Sequence, residues 1–186
     1  MGYSAAQFFW PYDKPTTERL ILRPPVAEDF EPCAQLMADE ATARYIGGVQ
    51  PRAVSWRGFI GIAGAWSMQG FSFFTVVEKA TGQWVGRVGP WQPEGWPGTE
   101  VGWSLGGAFH GKGYATEAAT AAIDWVFDHL GWTEVIHCID PANLASQAVA
   151  ARLGSTILRQ DMMPPPIEIT IDIWGQSREQ WRARRG

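Results

Sequence analysis

The sequence predicts a single domain of mixed α/β class. Predicted strands and helices interleave along the chain, and neither type forms a separate block. The 186 residues suit one domain with a real hydrophobic core, and no internal repeat or linker divides them. An apolar strand also runs through a glycine-rich turn directly into a long alanine-rich helix, over residues 102–118. These three observations together predict one α/β domain spanning residues 1–186.

The first half of the chain predicts three strands and two helices. Residues 1–16 form an aromatic, proline-rich lead-in for which the pattern predicts no particular element. Strands are typical of alternating or β-branched runs, and helices of apolar residues three and four positions apart. On that basis the elements expected in order are a strand over 18–24, a helix over 27–39, a helix over 51–68, and a hairpin of strands over 71–78 and 84–91.

The second half continues the alternation after a loop over 93–98. Its first helix shows an apolar stripe that includes several Ala residues and Ile123, and its second, shorter helix ends at Gly154, a residue favoured at helix C-termini. The elements expected are strands over 99–105 and 134–139, helices over 114–129 and 143–153, a last hairpin over 156–160 and 168–174 bridged by Pro164-Pro165-Pro166, and a short basic helix over 177–185.

The glycine-rich turn is the feature of this sequence that points most directly to a ligand. Gly111 and Gly113 precede the helix that starts at Tyr114, so several backbone N–H groups and the positive end of the helix dipole point at one place. Without a Cβ, glycine also lets a ligand approach the backbone closely. We therefore expect an anion there, most plausibly a phosphate.

Two common phosphate motifs fit this turn poorly. Residues 106–112 match the G-x-x-x-x-G-K pattern of nucleotide triphosphatases, but Gly113 stands where a Ser or Thr should hold magnesium. The dinucleotide pattern G-x-G-x-x-G fails at Thr116, where the third glycine or alanine belongs. A third possibility is a loop that binds the diphosphate of an acyl-CoA.

Three ordered motifs identify the third possibility with a known family. The run His110-Gly-Lys-Gly-Tyr-Ala-Thr-Glu-Ala118 resembles the diphosphate loop of GNAT N-acetyltransferases, with pattern Gln/Arg-x-x-Gly-x-Gly/Ala, although His110 departs from its first position. Residues 140–146 with Arg152-Leu-Gly154 resemble a downstream signature N-x-x-S followed by Leu-Gly. Residues 17–25 resemble an opening strand of the same family. The resemblance is strongest to the ribosomal-protein N-terminal acetyltransferases and covers roughly residues 17–175.

The resemblance implies a fold, a donor substrate and a set of binding residues. The fold is a mixed, mostly antiparallel sheet of about six to seven strands with helices on both faces, in which two parallel strands splay apart to admit the pantetheine arm of acetyl-CoA. The diphosphate would be held by the backbone of Gly111, Lys112, Gly113, Tyr114, Ala115 and Thr116. The backbone near Leu105 would contact the thioester carbonyl, and Gly106-Gly107 would form either a strand bulge or a plain loop.

The resemblance also implies the reaction and its catalytic groups. An amine would attack the thioester directly, and Glu100 is the candidate base, alone or through a water; the alternative is a solvent-exposed carboxylate at a strand end. Ser146 is the candidate group that stabilises the leaving thiolate, and otherwise it is an early helix residue. Asn143 would cap its helix and contact the pantetheine arm.

The acceptor is a primary amine, either a protein N-terminus or a small molecule, and the sequence leaves the choice open. Residues 45–70 and the Trp91–Trp96 loop should shape its pocket. The alternative function is a CoA-binding module of the same fold with little or no catalysis, and the protein would be a monomer or homodimer. The four arginines at 178, 182, 184 and 185 would touch the 3′-phosphate of CoA or form a solvated helix face.

Composition excludes several other classes. A net charge of −4 offers no basic footprint for nucleic acid, no apolar run is long enough to span a membrane, and no signal peptide opens the chain. The histidine spacing predicts no metal site, and no G-x-S-x-G sequence supports a serine hydrolase. Cys33 and Cys138 are isolated and predict reduced residues in a cytoplasmic protein.

Overall fold

The computed structural model describes residues 14–165 and 167–186. Most of the predicted lead-in, Trp10 and the last residue of the Pro164–Pro166 loop therefore lie outside the described residues. The strands are β1 (Leu20–Arg23), β2 (Phe74–Glu78), β3 (Trp84–Trp91), β4 (Glu100–Leu105), β5 (Glu134–Ile139), β6 (Thr156–Met162) and β7 (Thr170–Ser177). The helices are α1 (Phe30–Ala38), α2 (Glu40–Ala43), α3 (Arg52–Gln69), α4 (Tyr114–His129), α5 (Leu144–Leu153) and α6 (Arg178–Arg185).

The seven strands form one sheet in the order β1-β2-β3-β4-β5-β7-β6. All neighbours are antiparallel except β4 and β5, which run parallel. Residues of a strand alternate between the two faces of a sheet. On β3, Arg87 reaches Met37 of α1, while the next residue, Val88, packs in the core with α4. Helices thus cover both faces, and the predicted mixed, mostly antiparallel fold is confirmed.

Helix α4 packs closely on the sheet because its buried stripe is made of small residues. Ala118, Ala119, Ala122 and Ile123 have no exposed surface. Alanine is the best helix former and brings the helix axis near the sheet. The predicted bounds of this helix, Tyr114–His129, are confirmed.

Three differences from the predicted elements come from turns, and others are shifts of strand ends: β2 begins at Phe74, and β7 spans Thr170–Ser177. The predicted helix over 27–39 begins as a 3₁₀ turn at Ala27–Asp29 before α1 starts at Phe30. The four-residue α2 was not predicted; Asp39 caps it by accepting a hydrogen bond from the Thr42 amide at 3.0 Å. Another 3₁₀ turn spans Gly107–Phe109, and the β3–β4 register is unbroken as far as Leu105, so the glycines after it form a loop and not a bulge.

Candidate active site

The two parallel strands at the centre of the sheet separate after one registered pair. Glu100 of β4 pairs with Ile136 of β5, and the Ile136 amide donates to the Thr99 carbonyl at 3.0 Å. No later pair is registered between β4 and β5. The remainder of β4, from Val101 to Leu105, therefore borders an opening in the sheet.

A chain of buried hydrogen bonds stabilises the place where these strands separate. His137 of β5 donates from Nδ1 to the Val101 carbonyl of β4 at 2.7 Å, and its Nε2 accepts from the Ser155 hydroxyl at 3.0 Å. Gln176 of β7 donates to the Ser155 oxygen at 2.9 Å. Burial lowers the pKa of His137 to about 4, so the ring is neutral at physiological pH, as this pattern of donors and acceptors requires.

The antiparallel ladder with β3 fixes which backbone groups of β4 face the opening. Gly106 donates its amide to the Val85 carbonyl at 3.0 Å, and Leu105 lies opposite Gly86. Because hydrogen-bonded and non-hydrogen-bonded pairs alternate, the N–H and C=O groups of Leu105 and Trp103 point away from β3. They therefore lie along the opening, where β5 no longer pairs with β4.

The turn before α4 presents a row of amides to solvent. Gly111 and Gly113 have φ values of +74° and +80°, which glycine adopts at little cost. The first intrahelical bond joins the Glu117 amide to the Gly113 carbonyl at 3.0 Å. Within residues 14–165 and 167–186, the amides from Gly111 to Thr116 have no hydrogen-bond acceptor, as expected of a helix N-terminus.

Arg19, the residue before β1, holds this turn in place, a role that sequence reasoning missed. Its guanidinium donates to the Lys112 carbonyl at 3.0 Å and to Glu117 Oε2 at 2.7 Å, and it lies 4.4 Å from the centre of the Tyr114 ring. Thr17 also donates to Glu117. These contacts fix the direction of the amides. Only the resemblance of residues 17–25 to a family strand could have indicated them.

His110, which departs from the family pattern, also holds the turn in place. Its Nε2 lies 2.9 Å from the Leu105 carbonyl, so this nitrogen carries the proton and donates it. The bond joins the end of β4 to the beginning of the glycine turn. Although His110 differs from the family's usual Gln or Arg, it still ties the turn to the end of β4.

The other predicted loop residues use their side chains elsewhere. Lys112 Nζ lies 5.1 Å from the centre of the Phe109 ring, which keeps the ammonium beside the exposed turn. Tyr114 is buried and donates its hydroxyl to Glu78. Ala115 and Thr116 form the first turn of α4. Any contact that these residues make with a diphosphate would therefore come mainly from their amides.

Glu100 is a buried carboxylate at the beginning of β4. Only 7% of the residue is exposed, so the alternative of a solvent-exposed strand end is wrong. Its Oε2 accepts from Trp96 Nε1 at 2.5 Å and its Oε1 from the Cys138 amide at 3.0 Å. Burial raises the pKa of Glu100 to about 7, although both hydrogen bonds favour the charged form.

Asn143 and Ser146 begin helix α5 beside the opening. Asn143 Oδ1 accepts from the Ser146 amide at 3.1 Å, so the predicted cap is confirmed. The Ser146 oxygen accepts from Trp103 Nε1 at 3.3 Å. Because this bond uses a lone pair of the oxygen, the Ser146 proton remains available to another acceptor.

These groups border one cleft of about 400 Å³. Glu100, Trp103, Asn143 and Ser146 line it together, whereas the glycine turn lies beyond it along β4. Its remaining walls are mostly apolar, a typical property of small-molecule sites. They include residues of both predicted segments and of the β6–β7 connection: Tyr45, Ile46, Gly47, Gly58, Gly61, Ile62, Trp91, Trp96, Met163 and Ile167.

The described residues contain neither a membrane-spanning helix nor a cluster of metal ligands. None of their helices has both the length and the hydropathy of a membrane span. No three His, Cys, Asp or Glu side chains among them gather as metal ligands would. Cys33 and Cys138 are both free thiols, the first buried and the second lining the cleft.

The fold and site combine two parallel strands that separate with a glycine turn that begins a helix beside them. The family model described as acetyltransferase (GNAT) domain matches residues 19–156, and the chain belongs to this family. A 30% identical relative, the uncharacterised N-acetyltransferase p20 of Bacillus licheniformis, aligns over 70% of this chain and 75% of its own length.

Other proteins are similar to smaller or larger parts of the chain. The FsC-acetyl coenzyme A-N(2)-transacetylase of Aspergillus fumigatus is 36% identical over 45% of this chain. The chain spans about half or less of the first curated relatives that it matches, 51% of a Bacillus subtilis protein and 37% of the Aspergillus enzyme. An acetyltransferase structure from Agrobacterium tumefaciens has a TM-score of 0.78 at 28% identity, over 93% of this chain and 99% of its own.

Ribosomal-protein acetyltransferases are also among the similar structures. The ribosomal-protein-S5-alanine acetyltransferase of Vibrio fischeri has a TM-score of 0.68 at 19% identity, over 91% of this chain and 99% of its own. At this identity the likeness concerns the fold alone.

Proposed function

We propose that this protein transfers an acetyl group from acetyl-CoA to a primary amine. Three neighbouring features carry the proposal: unpaired amides at the glycine turn, the Leu105 amide and Trp103 backbone groups that β3 does not pair, and a buried carboxylate at Glu100. The family membership and the name of the Aspergillus relative support acetyl-CoA as the donor.

The residues present suit coenzyme A. A diphosphate needs several N–H donors in one place, and Gly111 to Thr116 supply a row of them at a helix N-terminus. The backbone groups of Trp103 and the Leu105 amide, which β3 does not pair, suit the amides and the thioester carbonyl of an acyl-pantetheine arm. Asn143 and Ser146 lie across the opening from them.

The chemistry is direct transfer in a ternary complex. When bound, acetyl-CoA supplies a thioester whose carbonyl carbon forms a bond to the amine nitrogen while its bond to sulfur breaks. Glu100 accepts the proton that the attacking amine loses. Ser146 donates its free hydroxyl proton as a hydrogen bond to the leaving sulfur.

The pKa of Glu100 favours weakly basic acceptors. A carboxylate with a pKa of about 7 is half ionised at neutral pH. An α-amine with a pKa near ~8 loses its proton to such a base at little cost, whereas a lysine near ~10.4 costs several kcal/mol more. We therefore propose protein N-termini or small amines of similar basicity as acceptors.

A substrate screen tests the function. Acetyl-CoA is mixed with a short-peptide library and with a small-amine library, and release of the CoA thiol is measured. The proposal predicts turnover in one library that depends on both substrates. Binding of CoA without turnover on any amine would instead indicate a binding module of the same fold.

A further inference from the structure

Arg87 lies on the sheet face that carries the candidate base. On β3 it stands between Thr75 of β2 and Ser104 of β4, and Trp91, four residues later, stands opposite Glu100. Residues four apart on a strand share a face. Arg87 and Glu100 both line the cleft, and the separation along the strand is about 13 Å.

The Arg87 guanidinium has no anionic partner among the described residues. It makes no salt bridge, and its Nε is buried without a hydrogen-bond acceptor. Its neighbours are Met37 Sδ at 4.0 Å and the Phe73 ring, whose centre lies 5.3 Å away. A sulfur atom and an aromatic face solvate a cation only weakly.

The acid that binds Thr75, the residue opposite Arg87, already has other partners. Asp29 accepts from Thr75, the residue opposite Arg87, at 2.9 Å. It also accepts two bonds from Arg23, at 2.6 and 2.9 Å, and one from the Val26 amide at 2.8 Å. Its carboxylate therefore already accepts four hydrogen bonds and pairs with the Arg23 guanidinium rather than with Arg87.

Arg87 is half-buried, and an unpaired cation removed from much of its water is costly. Arginine does not relieve this cost by losing its proton. Burial lowers the pKa of Arg87, but a guanidinium stays charged at any physiological pH. Such a group is stabilised when a ligand brings the missing anion. The guanidinium fork matches a carboxylate in particular, because two parallel N–H donors meet its two oxygens.

We propose that Arg87 binds a carboxylate carried by the amine acceptor, so that the substrates are amines bearing an acid group. This inference rests on the proposed function. The amine lies at the Glu100 end of the cleft, where its proton is accepted, and the carboxylate lies at the Arg87 end. The stacked rings of Phe73 and Trp91 form part of the apolar wall between them.

Matched acceptors test the inference on the unaltered protein. Glycylglycine, glycyl-β-alanine and glycyl-4-aminobutanoate, which carry a peptide α-amine and differ in the spacing between amine and acid, are each compared with the corresponding C-terminal amide. In each pair the amide has the less basic amine, so a larger fraction of it is neutral, and without recognition of the acid the amides should react at least as fast. We expect at least one acid to exceed its amide in kcat/KM by about tenfold or more. Amides that react as well as the acids at every spacing would overturn the inference.

Variants then assign any preference to the guanidinium. Arg87→Gln should bring the acid-to-amide ratio of kcat/KM close to one, and Arg87→Lys should keep part of the preference because it keeps the charge. A ratio that Arg87→Gln leaves at the wild-type value would overturn the inference while leaving the acetyltransferase function intact.

A binding measurement distinguishes failure of the Arg87 site from failure of the proposed acetyltransferase activity. The N-acetylated acids and N-acetylated amides of the same series are titrated while tryptophan fluorescence is recorded, since Trp91 and Trp96 line the cleft. Tighter binding of the acids that is lost in Arg87→Gln supports the site even if no amine turns over, in which case only the proposed function fails. Equal binding of acids and amides contradicts the Arg87 site directly.

Discussion

Trp96 Nε1 donates a hydrogen bond of 2.5 Å to Glu100 Oε2, across the connection between β3 and β4. The indole holds the carboxylate against the wall of the cleft while the Cys138 amide holds its other oxygen. Removal from water nevertheless dominates and raises the pKa of Glu100 to about 7. The residue therefore has both a fixed position and a basicity suited to accepting a proton near neutral pH.

Replacing Glu100 should remove the base. We predict that kcat/KM of the wild-type enzyme rises with pH through about 7, because the ionised carboxylate is the active form. Glu100→Gln should lower turnover at pH 7 by roughly 10² to 10⁴-fold and shift the profile upward, since only amines that are already neutral then react. The measurement is the rate of thiol release between pH 5.5 and 9.5.

Glu134→Gln is the matched control for this prediction. Glu134 begins β5 as Glu100 begins β4, but its side chain is exposed. Glu134→Gln should therefore give the same pH profile as the wild type. A Glu100→Gln profile that coincides with the wild-type one would remove Glu100 from the role of base.

Gly113 should control affinity for the coenzyme. It has a φ of +80°, and an alanine there is strained by about 1–2 kcal/mol, which turns the amides of the turn away from their common point. We predict that Gly113→Ala raises the Kd of CoA by about tenfold in calorimetric titration. Gly131→Ala carries comparable strain, at φ +67° after α4, and should leave the Kd unchanged. Equal effects of the two variants on CoA would refute a role for the turn.

Ser146 should act on the leaving group. Trp103 donates to its oxygen at 3.3 Å, so the Ser146 proton is free for the sulfur. We predict that Ser146→Ala lowers kcat by about tenfold, the value of one hydrogen bond to a charged acceptor, and changes the KM for acetyl-CoA little. Ser104→Ala, which removes another hydroxyl lining the same cleft, is the control. A loss confined to KM would assign Ser146 to coenzyme binding alone.

The raised pKa of Glu100 also predicts how stability varies with pH. The folded state holds the proton more tightly than the unfolded state, whose pKa is 4.5. This contribution to stability is fully present below pH 4.5 and is lost as pH rises to about 7. Between those limits, wild type should lose about 3 kcal/mol in its free energy of unfolding relative to Glu100→Gln. Urea titrations at pH 4.5, 6 and 8 measure the difference, and a constant difference would contradict the buried, proton-binding carboxylate.

Local sequence patterns were sufficient for the parts of the site that depend on neighbouring residues. The glycine turn, α4 and the Asn143 cap each follow from residues within a few positions of one another, and all three are present in the structure. Glu100 was named from the resemblance; its burial excludes the exposed carboxylate, and its role as the base stays a prediction.

Contacts between distant segments could not be read in the same way. Arg19 reaches Lys112 and Glu117 across more than ninety residues of sequence. The hydrogen bonds that run from Val101 through His137 and Ser155 to Gln176 join three strands. Arg87 resembles an ordinary polar residue of an alternating strand until the sheet register places it in the cleft without an acid beside it. Such relationships depend on tertiary packing, which periodicity does not encode.

A crystal structure of the protein with acetyl-CoA tests the central claim most directly. The account predicts diphosphate oxygens within about 3 Å of the amides of Gly111 to Thr116 and a thioester between Trp103 and Ser146. A coenzyme bound away from this turn, or no bound coenzyme at saturating concentration, would contradict it.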